Sequence, residues 1–232
     1  MQTTKWGPSG WRLLNSIVSN YPNHPVTSEK NLFRCFFYCL ANVLPCIHCR
    51  ISYRQFISDL PIKCWLKNKC TLQYYLYLIH NKVNDKLRKQ GYLHTDNPRF
   101  SKVKKHYDSI RGYDDCGWDF LYAIIYNYPI IPKNVDKYNY RLFYSKLTSL
   151  LPYEPVKLLY QKLYNLEPID NWLDNRNMAT KWFYKIHRKI LSELGEQHNE
   201  LLSYSEISEK YENFRASCVS SVTNSCRLPN KI

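Results

Sequence analysis

The sequence predicts an all-α protein built from two copies of one helical unit. Apolar residues recur at steps of three and four along most of the chain, with no convincing alternation of period two. Only six glycines occur in 232 residues, and the prolines sit mostly between the periodic stretches, where they punctuate joints. Sliding the chain by 107 positions aligns residues 10–87 with 117–194 without a gap, and 25 of those 78 positions are identical.

The elements follow in order. Trp11, Leu14, Val18 and Tyr21 place a first helix near 9–20. Leu32, Phe36, Leu40 and Val43 place a second at 29–43. Pro45 precedes a third at 46–59, patterned by Tyr53, Phe56 and Ile57. Leu72, Leu76, Ile79, Val83 and Leu87 form the apolar face of a fourth at 71–90. The second copy repeats this plan, "GWRLLNSIVSNYPNHP" meeting "GWDFLYAIIYNYPIIP". The expected organisation is a first unit over 1–92, a polar linker over 93–115, a second unit over 116–217 and a Ser/Asn-rich tail over 218–232. A last helix is expected near 204–217.

Composition narrows the function classes. The net charge is +14, but the basic residues are scattered apart from Lys102, Lys104, Lys105 and His106. That is not the concentrated face of a nucleic-acid binder. No apolar run approaches the ~18–20 residues that span a bilayer, and the first residues lack the apolar stretch of a secretory signal. No membrane span and no export signal are therefore expected. Nine cysteines are many for such a chain, and metal binding or redox chemistry is the usual reason.

The stretch "LPCIHCR" puts Cys46 and Cys49 at a predicted helix N-terminus. Unsatisfied N–H groups and the positive dipole end favour a thiolate there, with Arg50 and His48 nearby. This suits dithiol/disulfide exchange. A zinc site would have to recruit Cys64 and Cys70, whose six-residue spacing is poor for a structural zinc; two inert buried thiols are the third reading. In "YLYLIHNKVNDKL", Tyr77, His80, Asn81 and Asn84 share a face beside the apolar one, able to bind a flat polar cofactor or simply to meet solvent. In "KWGPSGWRLLN", packing suffices for Trp11, while Trp6 could cover a ring. The second copy keeps Trp118, Pro152, Trp172, Ile186 and His187, but has Tyr153 and Val156 opposite the two cysteines and Arg188 and Leu191 opposite Asn81 and Asn84. The scaffold persists and the reactive groups do not.

In this order, "WGPSGWRLLN…YP", "LPCIHCR" and "YLYLIHNKVNDKL" resemble the Erv/ALR FAD-linked sulfhydryl oxidases over roughly residues 5–90. The resemblance implies a four-helix bundle with a small fifth helix and FAD in its mouth, followed by a degenerate bundle of the same type such as some viral members carry. It implies that Cys46 and Cys49 form the redox-active disulfide, with Cys49 beside the flavin and Cys46 meeting the incoming dithiol. Trp6, Trp11 and Asn15 would line the flavin site, with Asn15 where a histidine is usual. His80, Asn81, Val83, Asn84 and Lys86 would hold the adenine and phosphates, and Tyr75 would stack on the adenine. Tyr77 replaces a frequent structural cysteine.

The implied reaction oxidises protein dithiols, a thioredoxin-like carrier among the candidate partners, and passes electrons to oxygen to give peroxide. By the same analogy Cys218 and Cys226 are shuttle candidates and the protein is a homodimer. The compartment would be the infected-cell cytoplasm or virion for a viral member, or the mitochondrial intermembrane space for a cellular one. Cys64 and Cys70 could fasten a loop, Cys35 and Cys39 read as buried thiols, and Cys116 has no assignable role. No FAD is expected in the second unit. The rival from another class is a zinc-stabilised helical interaction or nucleic-acid-binding protein.

Overall fold

The computed structural model describes residues 3–109, 112–195 and 202–216. Among the described residues the secondary structure is helical throughout. The first bundle comprises α1 (Thr3–Ser19), α2 (Thr27–Val43), α3 (Ile47–Asp59), α4 (Lys69–Lys89) and α5 (Phe100–Ser109). The second comprises α6 (Trp118–Tyr126), α7 (Asn134–Leu150), α8 (Glu154–Leu166), α9 (Arg176–Leu194) and α10 (Tyr204–Ala216).

The sequence repeat is a structural repeat. Helices α7 and α8 begin and end 107 residues after α2 and α3, and α9 begins 107 residues after α4. The same local chemistry sets the start of each long helix. Asn68 caps α4 by accepting from the Thr71 N–H at 3.0 Å, and Asn175 caps α9 by accepting from the Met178 N–H at 3.0 Å. A proline and a 3-10 turn precede both.

Two details differ from the expectation. Helix α1 begins six residues earlier and carries Pro8 inside it. Its first turns are held by packing, since Trp6 is buried and stacks on Phe120 at 5.5 Å. The segment read as a linker contains α5, which packs on α1 and α4. Asp108 on α5 accepts from Gln73 of α4 at 2.7 Å and pairs with Lys104. The bond to Gln73, with Phe100 packed on Tyr74 and Tyr77, fastens a short basic helix that the sequence reading passed over.

The two bundles face each other through equivalent elements, α1 against α6 and α2 against α7. Phe36 stacks on Phe143, its own counterpart 107 residues on, at 5.6 Å. Gly10 faces the Phe120 ring, while its counterpart Gly117 faces Leu13, the counterpart of Phe120. Such reciprocal pairing is the signature of a two-fold interface, here closed within one chain. Polar contacts cross it too. Asn20 donates to the Pro152 carbonyl at 2.8 Å and Asn42 donates to the Asn139 side chain at 3.1 Å.

Candidate functional site

Cys46 is the N-cap of α3, and its sulfur accepts from the Cys49 N–H at 3.3 Å. The sequence therefore builds the pair into the first turn of a helix, where free N–H groups converge. Arg50 is held there by donating from Nε to the Leu44 carbonyl at 2.6 Å. Cys49 is partly buried against the core. Cys46 is disulfide-bonded in this structure, and not to Cys49.

Helix α4 brings the polar stripe to this turn. Ser52 lies one turn beyond Cys49 and accepts from Lys86 Nζ at 2.6 Å. Asn84 donates to Asn97 Oδ1 at 2.8 Å, and Arg88 donates to the same oxygen and to the Thr95 carbonyl. Asn81 and Val83 are half-buried on the same stretch of helix. Ser52 and Asn97 were not singled out from the sequence. Neither belongs to a periodic motif, and Asn97 lies in a loop whose position only packing defines.

From the other side comes α1. Trp11 stacks face to face on His80, with centroids 3.8 Å apart and planes 9° apart. Asn15 is buried and donates from its side chain to the Trp11 carbonyl at 2.8 Å. Burial lowers the His80 pKa to about 4, so the imidazole is neutral at physiological pH. Among the described residues its ring nitrogens make no hydrogen bond.

The structure separates one predicted contact from this group. Tyr75 is wholly buried, with its ring against Phe37 and Trp65. It presents no surface to a ligand, and its part here is core packing; the adenine-stacking expectation is corrected accordingly. Tyr77 donates to the Pro98 carbonyl at 3.0 Å, fastening the loop after α4. Cys64 and Cys70 are exposed free thiols, so the loop-fastening bridge is not formed. Cys39 is buried, and burial raises its pKa to about 12. Cys35 is half-buried and Cys116 fully buried. Cys218 and Cys226 lie outside the described residues. The zinc alternative lacks a ligand set, since among the described residues no three His, Cys, Asp or Glu side chains are gathered for a metal.

The second bundle offers an internal comparison. Trp118 stacks on His187 at 3.9 Å, as Trp11 does on His80. There, however, Tyr113 and Tyr122 stand at the positions of Trp6 and Asn15. Tyr122 OH meets His187 Nδ1 at 3.0 Å and Tyr113 OH meets Nε2. Tyr211 from α10 then covers Tyr122. The same aromatic framework is closed in the second unit and open at His80 in the first.

The family model described as Erv1 / Alr matches residues 8–108. The first unit is therefore similar to that family over these residues. The matched segment takes in α2 to α4 and α5 up to its last residue but one, so the match continues past α4 into the segment read as a linker. Similar curated proteins include the probable FAD-linked sulfhydryl oxidase R368 of Acanthamoeba polyphaga mimivirus, 32% identical over 85 residues, which are 36% of this chain and 59% of that protein. The FAD-linked sulfhydryl oxidase erv2 of Schizosaccharomyces pombe is 26% identical over 77 residues, 33% of this chain and 39% of that one. An FAD-linked sulfhydryl oxidase of African swine fever virus is 29% identical over 85 residues, 37% of this chain and 70% of the viral protein. The chain spans about half the length of the first of these curated relatives. No helix among the described residues is long and apolar enough to cross a membrane.

The half-buried His80 imidazole makes a testable contribution to stability. The folded-state pKa is about 4, below the ordinary 6.5. Between these values the unfolded chain binds a proton that the folded chain does not. Unfolding free energy therefore falls as pH drops from 6.5 to 4, by up to about 3 kcal/mol, and is fully present above 6.5. Urea unfolding of the flavin-free protein should show this slope, and His80→Gln should flatten it. An unchanged slope in the variant would assign the titration to another group.

Proposed function

We propose that the chain is an FAD-dependent thiol oxidase that forms disulfides in protein substrates. The observation that carries this is the open Trp11–His80 stack on α4, the helix that meets α3 one turn beyond the helix-capping Cys46–Cys49 pair through Lys86 and Ser52. The corresponding stack in the second unit is sealed by two tyrosines and has no cysteines. A ring system suits the first environment, because flat aromatic walls and uncommitted polar groups lie together there. Trp6, Trp11, Asn15 and His80 would hold the flavin, with Asn81, Val83, Asn84 and Lys86 toward its adenine and phosphates. The buried Trp6 indole N–H, without a hydrogen-bond partner, fits such a ligand. FAD, when bound, supplies the two-electron acceptor and passes the pair to molecular oxygen, giving hydrogen peroxide.

The chain's own residues perform the thiol steps. A substrate thiolate attacks Cys46 Sγ of the Cys46–Cys49 disulfide, that bond breaks, and Cys49 leaves as a thiolate. The second substrate thiol then displaces Cys46, releasing the oxidised substrate. The first-turn N–H groups of α3 and Arg50 favour the Cys49 anion. Re-forming the Cys46–Cys49 bond delivers the electron pair. Cys46 being the disulfide-bonded member of the pair in this structure supports its role as the exchanging sulfur.

The second unit supplies surface rather than chemistry in this reading. It packs where a symmetric partner's bundle would sit. A homodimer would then use another face. Cys218 and Cys226 remain the candidate shuttle, and the viral relatives favour the cytoplasm of an infected cell or the virion as the compartment. The test is the visible spectrum of the purified protein with dithiothreitol in air. Flavin absorbance should bleach and then recover as peroxide accumulates. A colourless protein that takes up no FAD would sink the proposal.

A further inference from the structure

A groove at the opposite end of the first bundle gathers four cations. Lys30, Arg34, Lys63 and Lys67 line a cavity of about 250 Å³, with Thr27 and Asn31 adding a hydroxyl and an amide. Lys30 and Arg34 stand one turn apart on α2, Lys63 lies in the 3-10 turn Ile62–Cys64, and Lys67 in the loop before α4. Among the described residues none of the four forms an ion pair. Arg34 donates to the Asn31 side chain at 3.0 Å. The carboxylate on this turn of α2, Glu29, is engaged with the Val26 N–H at 2.8 Å. The length of α2, roughly 24 Å, separates this groove from the cysteine pair. It is distinct from the flavin-holding stripe, which lies toward the other end of α4.

The second unit shows the same scaffold with its charges paired. Lys137 and Arg141 occupy the positions of Lys30 and Arg34, but Asp170 and Asp174 replace Lys63 and Lys67. Two ion pairs result, Lys137–Asp174 at 2.8 Å and Arg141–Asp170 at 2.5 Å. The first unit instead crowds four like charges, which repel one another and add nothing to folding. Converging cations with an arginine fork and a hydroxyl are matched to phosphate oxygens.

The geometry points to a binding site in this groove for a run of two or three phosphates. The cavity admits such a run and is too small for a folded segment. This inference does not depend on the oxidase reading. Calorimetric titration of the full chain with inorganic tripolyphosphate should show one site whose affinity falls as salt rises. Lys63→Asp with Lys67→Asp installs the second unit's own pairings. It should weaken binding at least tenfold while leaving flavin content unchanged and the midpoint of ligand-free thermal unfolding no lower than that of the wild type. Asp170→Lys with Asp174→Lys should add a second site. Competition by a single-stranded oligonucleotide would name nucleic-acid backbone as the source of the phosphates, and its absence a free polyphosphate. No binding by the wild-type chain, or binding that survives the first double substitution, would overturn the proposal.

Discussion

Cys49→Ser should lower peroxide production with dithiothreitol by roughly a thousandfold or more while leaving bound flavin in place. The serine hydroxyl is nearly isosteric, so the α3 first turn and its N–H contact to Cys46 survive. What disappears is the sulfur that leaves as a thiolate when the Cys46–Cys49 bond is attacked. Flavin retention is expected because the proposed holding groups stand on α1 and α4, not on α3. Cys64→Ser and Cys70→Ser, at exposed thiols outside this turn, should leave turnover near wild type. Turnover that persists in Cys49→Ser would remove the relay from this pair, whatever the flavin content.

Gly117→Ala should cost about 2–5 kcal/mol, the sum of a left-handed backbone held by a non-glycine residue and an overpacked contact. Gly117 has φ +68°, and an added Cβ would stand 2.6 Å from the Leu13 Cβ and 3.1 Å from the Ser9 carbonyl oxygen. Neither neighbour is the end of a flexible chain. In a domain of this size the midpoint of thermal unfolding should fall by roughly 10 °C. The clash lies on α1 and would disturb the helix carrying Trp6 and Trp11, so flavin should also be held less tightly. Gly195→Ala, at a positive φ but in open space, supplies the control for backbone strain alone. Equal losses in the two variants would mean that the α1–α6 approach is not tight.

Much of this was legible in the chain itself. Periodicity located the helices, because burial of one face leaves a 3.6-residue trace wherever a helix packs. The 107-residue repeat predicted equivalent helices, and the exchange of Cys46 and Cys49 for Tyr153 and Val156 separated framework from chemistry. The CxxC placement at a helix start was readable because Pro45 and the following apolar pattern mark that end. Helix α5 was not readable, since it is short and basic and is fastened by contacts to α4 from Phe100 onto Tyr74 and Tyr77 and from Asp108 onto Gln73.

The sequence by itself determined the fold class, the repeat and which unit carries the CxxC pair, because these depend on local pattern and residue identity. Only the tertiary structure decided that Tyr75 faces the core, that Ser52 and Asn97 join the α4 stripe, and that Tyr113 and Tyr122 close on His187. The paired faces of α1 with α6 and α2 with α7, and the four converging cations beside α2, were decided there as well. Each of these joins residues from separate helices or loops, whose proximity follows from how the bundles pack and leaves no period or spacing in the chain.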